Sequence, residues 1–237
     1  MRNIMTIAKR EWLNFFINPT GYIFAGLLLI ITNWMFFGDF FLLGQADLKQ
    51  YWSVMVFLFS IFVPAIAMGL IAEEKKNSTW EVILSMPINE KQFVLGKFFG
   101  SALYLLFTIG LSLPVVITVL LLGKPEAGII IGGMIGTIFL ALSYLALGIF
   151  MSSLSNQPIV GFLGSTVALL LNNLMGQDVF LSRLPSGIRS LFEALSLNFR
   201  SAKFGTGLVE LTDLVFFISW IVIFLALTVL SLKSRSK

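Results

Sequence analysis

The sequence predicts an all-α membrane protein, one bundle of six transmembrane helices with shorter amphipathic helices outside it. Three observations lead there. Of 237 residues, 57% are hydrophobic and only 12% charged, and the mean hydropathy is +0.94; a soluble core of this length would be wrapped in far more charge. The apolar residues gather in runs of about 20, the length a helix needs to cross a bilayer core. Between the runs stand only short polar segments, so the chain reads as a single transmembrane domain over residues 1–237.

Residues 1–20 read as an amphipathic helix at the interface rather than a span. Ile4, Ile7, Trp12, Phe15 and Phe16 share a broad helical face, and Arg2, Lys9, Arg10 and Glu11 supply the polar side. The apolar part is too short and interrupted for a signal-peptide core, and Pro19 ends or kinks the helix. The first span covers residues 22–43 and the second 52–72, joined by the short loop GQADLKQ. A polar segment follows at residues 73–92. The third apolar run, 93–122, carries Pro114, which marks a kink, as Pro64 does in the second span. The turn GKPEAG leads to a fourth span at 128–152, and the uncharged SLSNQP to a fifth at 159–175. Residues 177–211 are too long for a tight turn. Leu181, Leu184, Ile188, Leu191, Phe192 and Leu195 recur there at near-helical spacing, the pattern of one or two short amphipathic helices dipping into the outer leaflet. The last span is 214–232.

Orientation follows from Lys and Arg in the flanks. With both termini inside, the inner set is Arg2, Lys9, Arg10, Lys75, Lys76, Lys91, Lys97, Lys233, Arg235 and Lys237. The outer set is Lys49, Lys124, Arg183, Arg189, Arg200 and Lys203, four of them in the long 177–211 stretch. Both termini and the 73–92 segment are therefore placed in the cytoplasm, and the formal charge of +4 reflects orientation rather than nucleic-acid binding.

The 73–92 segment is more ordered than a loop requires. Ser78-Thr79-Trp80-Glu81 has the form of a capping box, in which the Ser hydroxyl accepts from a first-turn amide and Glu81 reaches back. A short helix from there would set Trp80, Val82, Ile83 and Met86 on one apolar patch, and Pro87 would end it. Asn89, with Gln92 three residues on, is a second start signal. Helix, break, helix leaves two roles open: a loop helix resting on the membrane, or a docking element for a cytoplasmic partner.

Several chemistries are excluded. With no cysteine and no histidine, the chain has no disulfide, no thiolate nucleophile, no His- or Cys-ligated metal and no Ser–His relay. An intramembrane aspartyl pair is poorly supported, because Asp39 and Asp178 fall near the edges of their spans. No phosphate-binding G-x-x-x-x-G-K-[ST] exists, since Gly96-Lys97 is followed by Phe98. No catalytic residue, cofactor site or metal site is assigned. Among intramembrane polar groups, Asn33, Asn172 and Asn173 either hydrogen-bond between helices or line a translocation path. Gly128, Gly132 and Gly136 form a small-residue stripe suited to close helix packing, within the subunit or at a dimer contact.

The stretch AEEKKNSTWEVILSMPINEKQFVLGKF resembles the signature of ABC-2 type transporter permeases, membrane subunits of type V-like ABC exporters. Glu73, Glu74, Lys75, Lys76, Thr79, Glu81, Ile83, Leu84, Pro87, Val94, Leu95, Gly96 and Lys97 carry the match; Ser78 stands where the family usually has Gly. KREWLNFFINPTGYIF is similar to the family's opening. Phe199, Phe204, Gly205, Asp213 and the Phe-rich last span resemble the gliding-motility-associated subgroup. The resemblance implies that residues 73–92 are a cytoplasmic coupling helix seated on an ATPase subunit, with Glu73, Glu74, Ser78, Thr79, Glu81, Met86 and Pro87 as ATPase-coupling residues. It implies a bacterial inner-membrane exporter, with ATP and Mg on two copies of a cytoplasmic ABC ATPase. A second copy of the permease or a related chain, the lipid bilayer and an accessory envelope protein complete the partners, and nucleic acid is not among them. It also implies that 177–211 forms an external helical cap. The other function weighed is a non-transporting anchor or channel that couples an ATPase to an envelope or surface machine. Trp34, Phe36, Phe37, Phe57, Phe59 and Phe62 suit an amphiphilic cargo and lipid contact equally.

Overall fold

A computed structural model describes residues 2–43, 48–77, 79, 88–122, 126–182, 185–207 and 209–235. Among the described residues there are only helices: α1 (Arg2–Ile17), α2 (Pro19–Leu43), α3 (Leu48–Ala67), α4 (Gly69–Lys76), α5 (Glu90–Gly110), α6 (Leu113–Leu122), α7 (Ala127–Leu154), α8 (Pro158–Met175), α9 (Asp178–Leu181), α10 (Ser186–Leu195), α11 (Leu197–Phe204) and α12 (Leu211–Arg235). Six stretches are long and apolar enough to cross a membrane: Pro19–Gly38, Leu48–Lys76, Glu90–Leu121, Ala127–Leu154, Pro158–Met175 and Leu211–Ser234. The second is α3 with α4, and the third is α5 with α6. An even number of crossings puts both termini at one end of the bundle, called here the terminal end.

α7 is the axis of the fold. Leu140, Ala141, Tyr144, Leu145, Ala146 and Ile149 on it are fully enclosed, and it packs against α3, α5, α8, α11 and α12. Spans two and four are the most enclosed, whereas spans one, five and six leave most of their surface to the outside, as lipid-facing helices do.

Two spans are interrupted. The third breaks at Leu111–Ser112, where the Ser112 hydroxyl donates to Ile109 O at 2.6 Å. The break falls just before Pro114, which has no N–H to bond Gly110 O and whose ring crowds that carbonyl. The second is interrupted at Met68, between α3 and α4, although Met68 N still bonds Pro64 O at 2.9 Å.

α1 packs closely on α5. It runs lengthwise beside α5, from Ile4 and Ile7 at Gly96, through Ala8 and Glu11 at Gly100, to Phe15 on Tyr104 and Phe16 on Phe107. The glycines make this possible. A Cβ on Gly96 would sit 2.6 Å from Ile7 Cβ, and one on Gly100 would sit 2.7 Å from Ala8 O. Phe15 stacks on Tyr104 with centroids 4.4 Å apart, and the Tyr104 hydroxyl donates to Gly21 O at 2.5 Å, fixing the α1–α2 corner. The apolar face read from the sequence thus meets protein.

Candidate functional site

The terminal end gathers charge where α1, α4 and α5 meet. Lys97 lies on α5, one residue beyond the glycine that admits α1. Only 5% exposed, its ammonium sits 2.6 Å from Glu74 Oε1 of α4 and 3.2 Å from Glu11 Oε2 of α1. It also lies 5.4 Å from the Phe93 ring centroid, within cation–π range. One cation therefore bridges two carboxylates on two other elements. Glu11 had been assigned to the polar side of α1; the close approach at Gly100 turns it inward to Lys97. The second Glu74 oxygen is buried without a hydrogen-bond partner.

The flanking contacts fix each arm. Asn89 caps α5, its side chain accepting from Lys91 N at 3.4 Å. Gln92 reaches α1 instead of its own cap, accepting from Asn3 Nδ2 at 3.2 Å. The Thr79 hydroxyl donates to Glu74 O at 3.0 Å, beyond the end of α4. Lys75 Nζ donates to Ser153 O of α7. The Ser152 hydroxyl donates to Met68 O at 2.7 Å and accepts from Ile71 N at 3.2 Å and Ala72 N at 3.1 Å.

A groove of about 1280 Å³ opens beside this cluster, between α1 and the α3–α4 joint. Phe15, Phe24, Ile66 and Phe93 give it an enclosed apolar lining, and Lys9, Arg10, Asn14, Glu73 and Asn77 an exposed polar one. Glu73 is exposed and outside the ion pairs, whereas Glu74 is inside them. Ser78, Glu81, Met86 and Pro87 lie outside the described residues, and with Ser78 and Glu81 so does the expected capping box. Among the described residues no group of three or more acidic side chains converges to hold a metal ion.

The other sequence-derived candidates lie elsewhere. Asn172 is tied to the joint between α10 and α11. Its Oδ1 accepts from Leu197 N at 3.0 Å, and its Nδ2 donates to Leu195 O at 3.3 Å. Asn173 points the other way, accepting from the buried Tyr144 hydroxyl at 2.7 Å, between spans five and four. Asn33 is half-buried in span one, with its carbonyl enclosed and unpaired. The glycine stripe faces α11 and the turn after it. A Cβ at Gly132 would overlap Phe204 O, one at Gly136 would lie 2.7 Å from Phe204 Cβ, and Gly128 adjoins Gly207. α11 is thereby drawn into the bundle, with Leu197 and Phe204 fully buried. Arg200 anchors it by pairing with Asp213 of α12, 1% exposed, and by lying 4.2 Å from the Phe216 ring centroid.

The Lys97 bridge was missed in the sequence. A lone lysine beside a span end reads as an orientation marker, and its partners lie 86 and 23 positions away. The usable signal was that Lys97 follows Gly96 inside an otherwise apolar run, where an ammonium needs a partner.

A family model described as ABC-2 family transporter protein matches residues 9–173. That interval holds the triad, most of the groove's lining, the first four spans and nearly all of the fifth. The search among curated proteins gives no match. The chain belongs to the ABC-2 transporter family, whose members are membrane components of ABC transporters and not themselves catalytic.

Proposed function

We propose that this ABC-2 family member is the permease subunit of an exporter. It passes the work of a separate cytoplasmic ABC ATPase to the membrane through the segment between its second and third spans. The observation that carries the reading is the Lys97 bridge, which ties α4, α5 and α1 into one unit at the terminal end. A segment that only lay on lipid would need no such tie.

The terminal end is the cytoplasmic one, on the excess of Lys and Arg there. The ATPase seats on residues 73–92 and against the neighbouring groove, whose apolar lining and charged surround suit a protein helix. Glu73, Ser78, Thr79, Glu81, Met86 and Pro87 form the contact, while Glu74 acts behind it through Lys97. Two permease chains and two ATPase chains make the working unit in the bacterial inner membrane, and substrate leaves between the permeases. The gliding-motility-like character of the C-terminal region belongs to this reading too, as does the role of 177–211 as an external cap.

The test is purification of the tagged chain from its own membranes in mild detergent, followed by mass spectrometry of what accompanies it. A stoichiometric chain with a phosphate-binding loop is the expected result. Its absence from folded preparations would move the function to an anchor or channel.

A further inference from the structure

At the end opposite the terminal one, two neighbouring faces of α7 hold different partners. Gly133 admits Trp52 of α3, where a Cβ would lie 2.2 Å from the indole nitrogen, and Gly132 and Gly136 admit Phe204 of α11. Gly132 and Gly133 are consecutive, about 100° apart around the helix, so α3 and α11 stand side by side on α7. Between them remains a cleft of about 420 Å³, within the range of small-molecule sites, about 300–1,000 Å³. Lys49, Ser53 and Val56 line it from α3, and Asn198 and Ala202 from α11 with Gly205 at its end. Both sets follow the i, i+4, i+7 spacing of a single helix face.

The lining is graded. Lys49, the second residue of α3, is exposed, and its stem lies across the mouth toward α11: a Cβ on Gly205 would lie 3.8 Å from Lys49 Cγ. Seven residues on, about 10 Å along the helix, Val56 is buried, with the buried Trp52 ring between them. The Thr137 and Ser201 hydroxyls donate to carbonyls of their own helices, Gly133 O at 2.7 Å and Asn198 O at 2.9 Å. The Ser53 hydroxyl and the Asn198 carboxamide bond no side chain or backbone group among the described residues. Among the described lining residues Lys49 supplies the charge and no acid opposes it. The cleft is thus cationic at its mouth, polar along its sides and apolar at its base.

We propose that this cleft binds an anionic amphiphile. Its phosphate or carboxylate headgroup lies against Lys49, Ser53 and Asn198, and the start of its apolar chain points toward Trp52 and Val56. A charge-assisted hydrogen bond from an ammonium is the strongest contact such a lining offers, and hydroxyl and carboxamide groups fix the headgroup's orientation. Two sources share this chemistry: phospholipid of the leaflet at that end, and an amphiphile that the protein carries. The site stands on the cleft and its lining, and does not depend on an ATPase.

The test is native mass spectrometry of the full chain in mild detergent. The added probes are dihexanoylphosphatidylglycerol, dihexanoylphosphatidylcholine with the same chains and no net charge, and inorganic phosphate. One equivalent of the phosphatidylglycerol is expected to bind at least tenfold more tightly than the phosphatidylcholine. Lys49→Gln is expected to weaken it about tenfold, and Ser53→Phe, which sets a ring into the cleft from an exposed position, to abolish it. Lys203→Gln removes an equal charge from α11 beside Phe199, outside the cleft, and is expected to leave binding unchanged. Equal binding of the two lipids, binding that survives both cleft variants, or an equal loss from Lys203→Gln overturns the proposal. Displacement of the lipid by inorganic phosphate at the same concentration overturns the amphiphile. The source is read from protein taken from its own membranes. A phospholipid retained by the parent and missing from Ser53→Phe assigns the cleft to the leaflet; a lipid-free parent that still takes added phosphatidylglycerol assigns it to a carried amphiphile.

Discussion

Replacing Lys97 by Met keeps the length and apolar stem of the side chain and removes only its charge. Two carboxylates, Glu74 and Glu11, then remain in a site where their side chains are 19% and 12% exposed and Lys97 was their shared counter-ion at 2.6 and 3.2 Å. Breaking a buried pair from one side costs about 3–5 kcal/mol, because the remaining charge stays buried without compensation. The residual exposure of both glutamates puts the cost near the lower figure, about 3 kcal/mol. In a chain of this size 1 kcal/mol moves the midpoint by about 2–4 °C, so a drop of roughly 6–12 °C is expected. The assay is thermal unfolding of the purified protein in a fixed detergent. Adding Glu11→Gln and Glu74→Gln to Lys97→Met removes the stranded charges and is expected to recover most of the loss. A single variant within about 2 °C of the parent, or a triple variant no better than the single, would refute the account of Lys97 as the buried counter-ion.

Three further outcomes follow from the same geometry. Glu73→Arg with Glu81→Arg reverses charge on the proposed contact without touching the triad, and is expected to abolish ATPase co-purification while membrane insertion, read by fractionation, stays intact; unchanged association would sink the coupling assignment. Gly136→Leu forces Phe204 away from α7, at about 1–3 kcal/mol for overpacking, and should expose the α10–α12 region to limited proteolysis. Asp213→Ala strands the Arg200 guanidinium beside α12 at about 3 kcal/mol, and should lower the midpoint more than Glu193→Ala, whose partner Arg189 is 49% exposed.

The six spans were legible because their signal is local: each is an apolar run whose length the bilayer sets. The ends of the bundle were legible only in part. Asn89 acts as the cap its sequence promised, yet Gln92 bonds Asn3 of α1, 89 positions away. The amphipathic face of α1 was visible, but whether it met lipid or protein depended on Gly96 and Gly100, which read as ordinary membrane-helix glycines until α1 is laid in their groove. Asn172 and Asn173 read as polar residues needing partners; that one ties down α11 and the other meets Tyr144 follows from the roughly 100° step between neighbouring helix positions and from chain far away in sequence. Ser152 carried no signal at all, since its three backbone partners lie more than 75 positions away.

Length explains why charge is placed where it is. The third span's helical run covers 32 residues, about 48 Å, whereas the hydrocarbon core is about 30 Å thick. About a dozen residues must therefore stand outside the core. On the terminal side these are the first turns of α5, where Lys97 meets α1 and α4. The same arithmetic brings α4 out of the core at the end of a 29-residue run. The three elements form a post at the terminal end, enclosed enough to orient the ion pair. Apolar packing would hold such a post together as well or better, since replacing buried ion pairs by apolar residues is often neutral or stabilising by about 1–4 kcal/mol. What the charges add is one preferred register among α1, α4 and α5. Glu11→Leu, Glu74→Leu and Lys97→Met together are therefore expected to leave the midpoint equal or higher, while lowering the ATPase rate of the assembled complex in lipid nanodiscs. An unaltered rate at unaltered stability would show that the register carries no coupling.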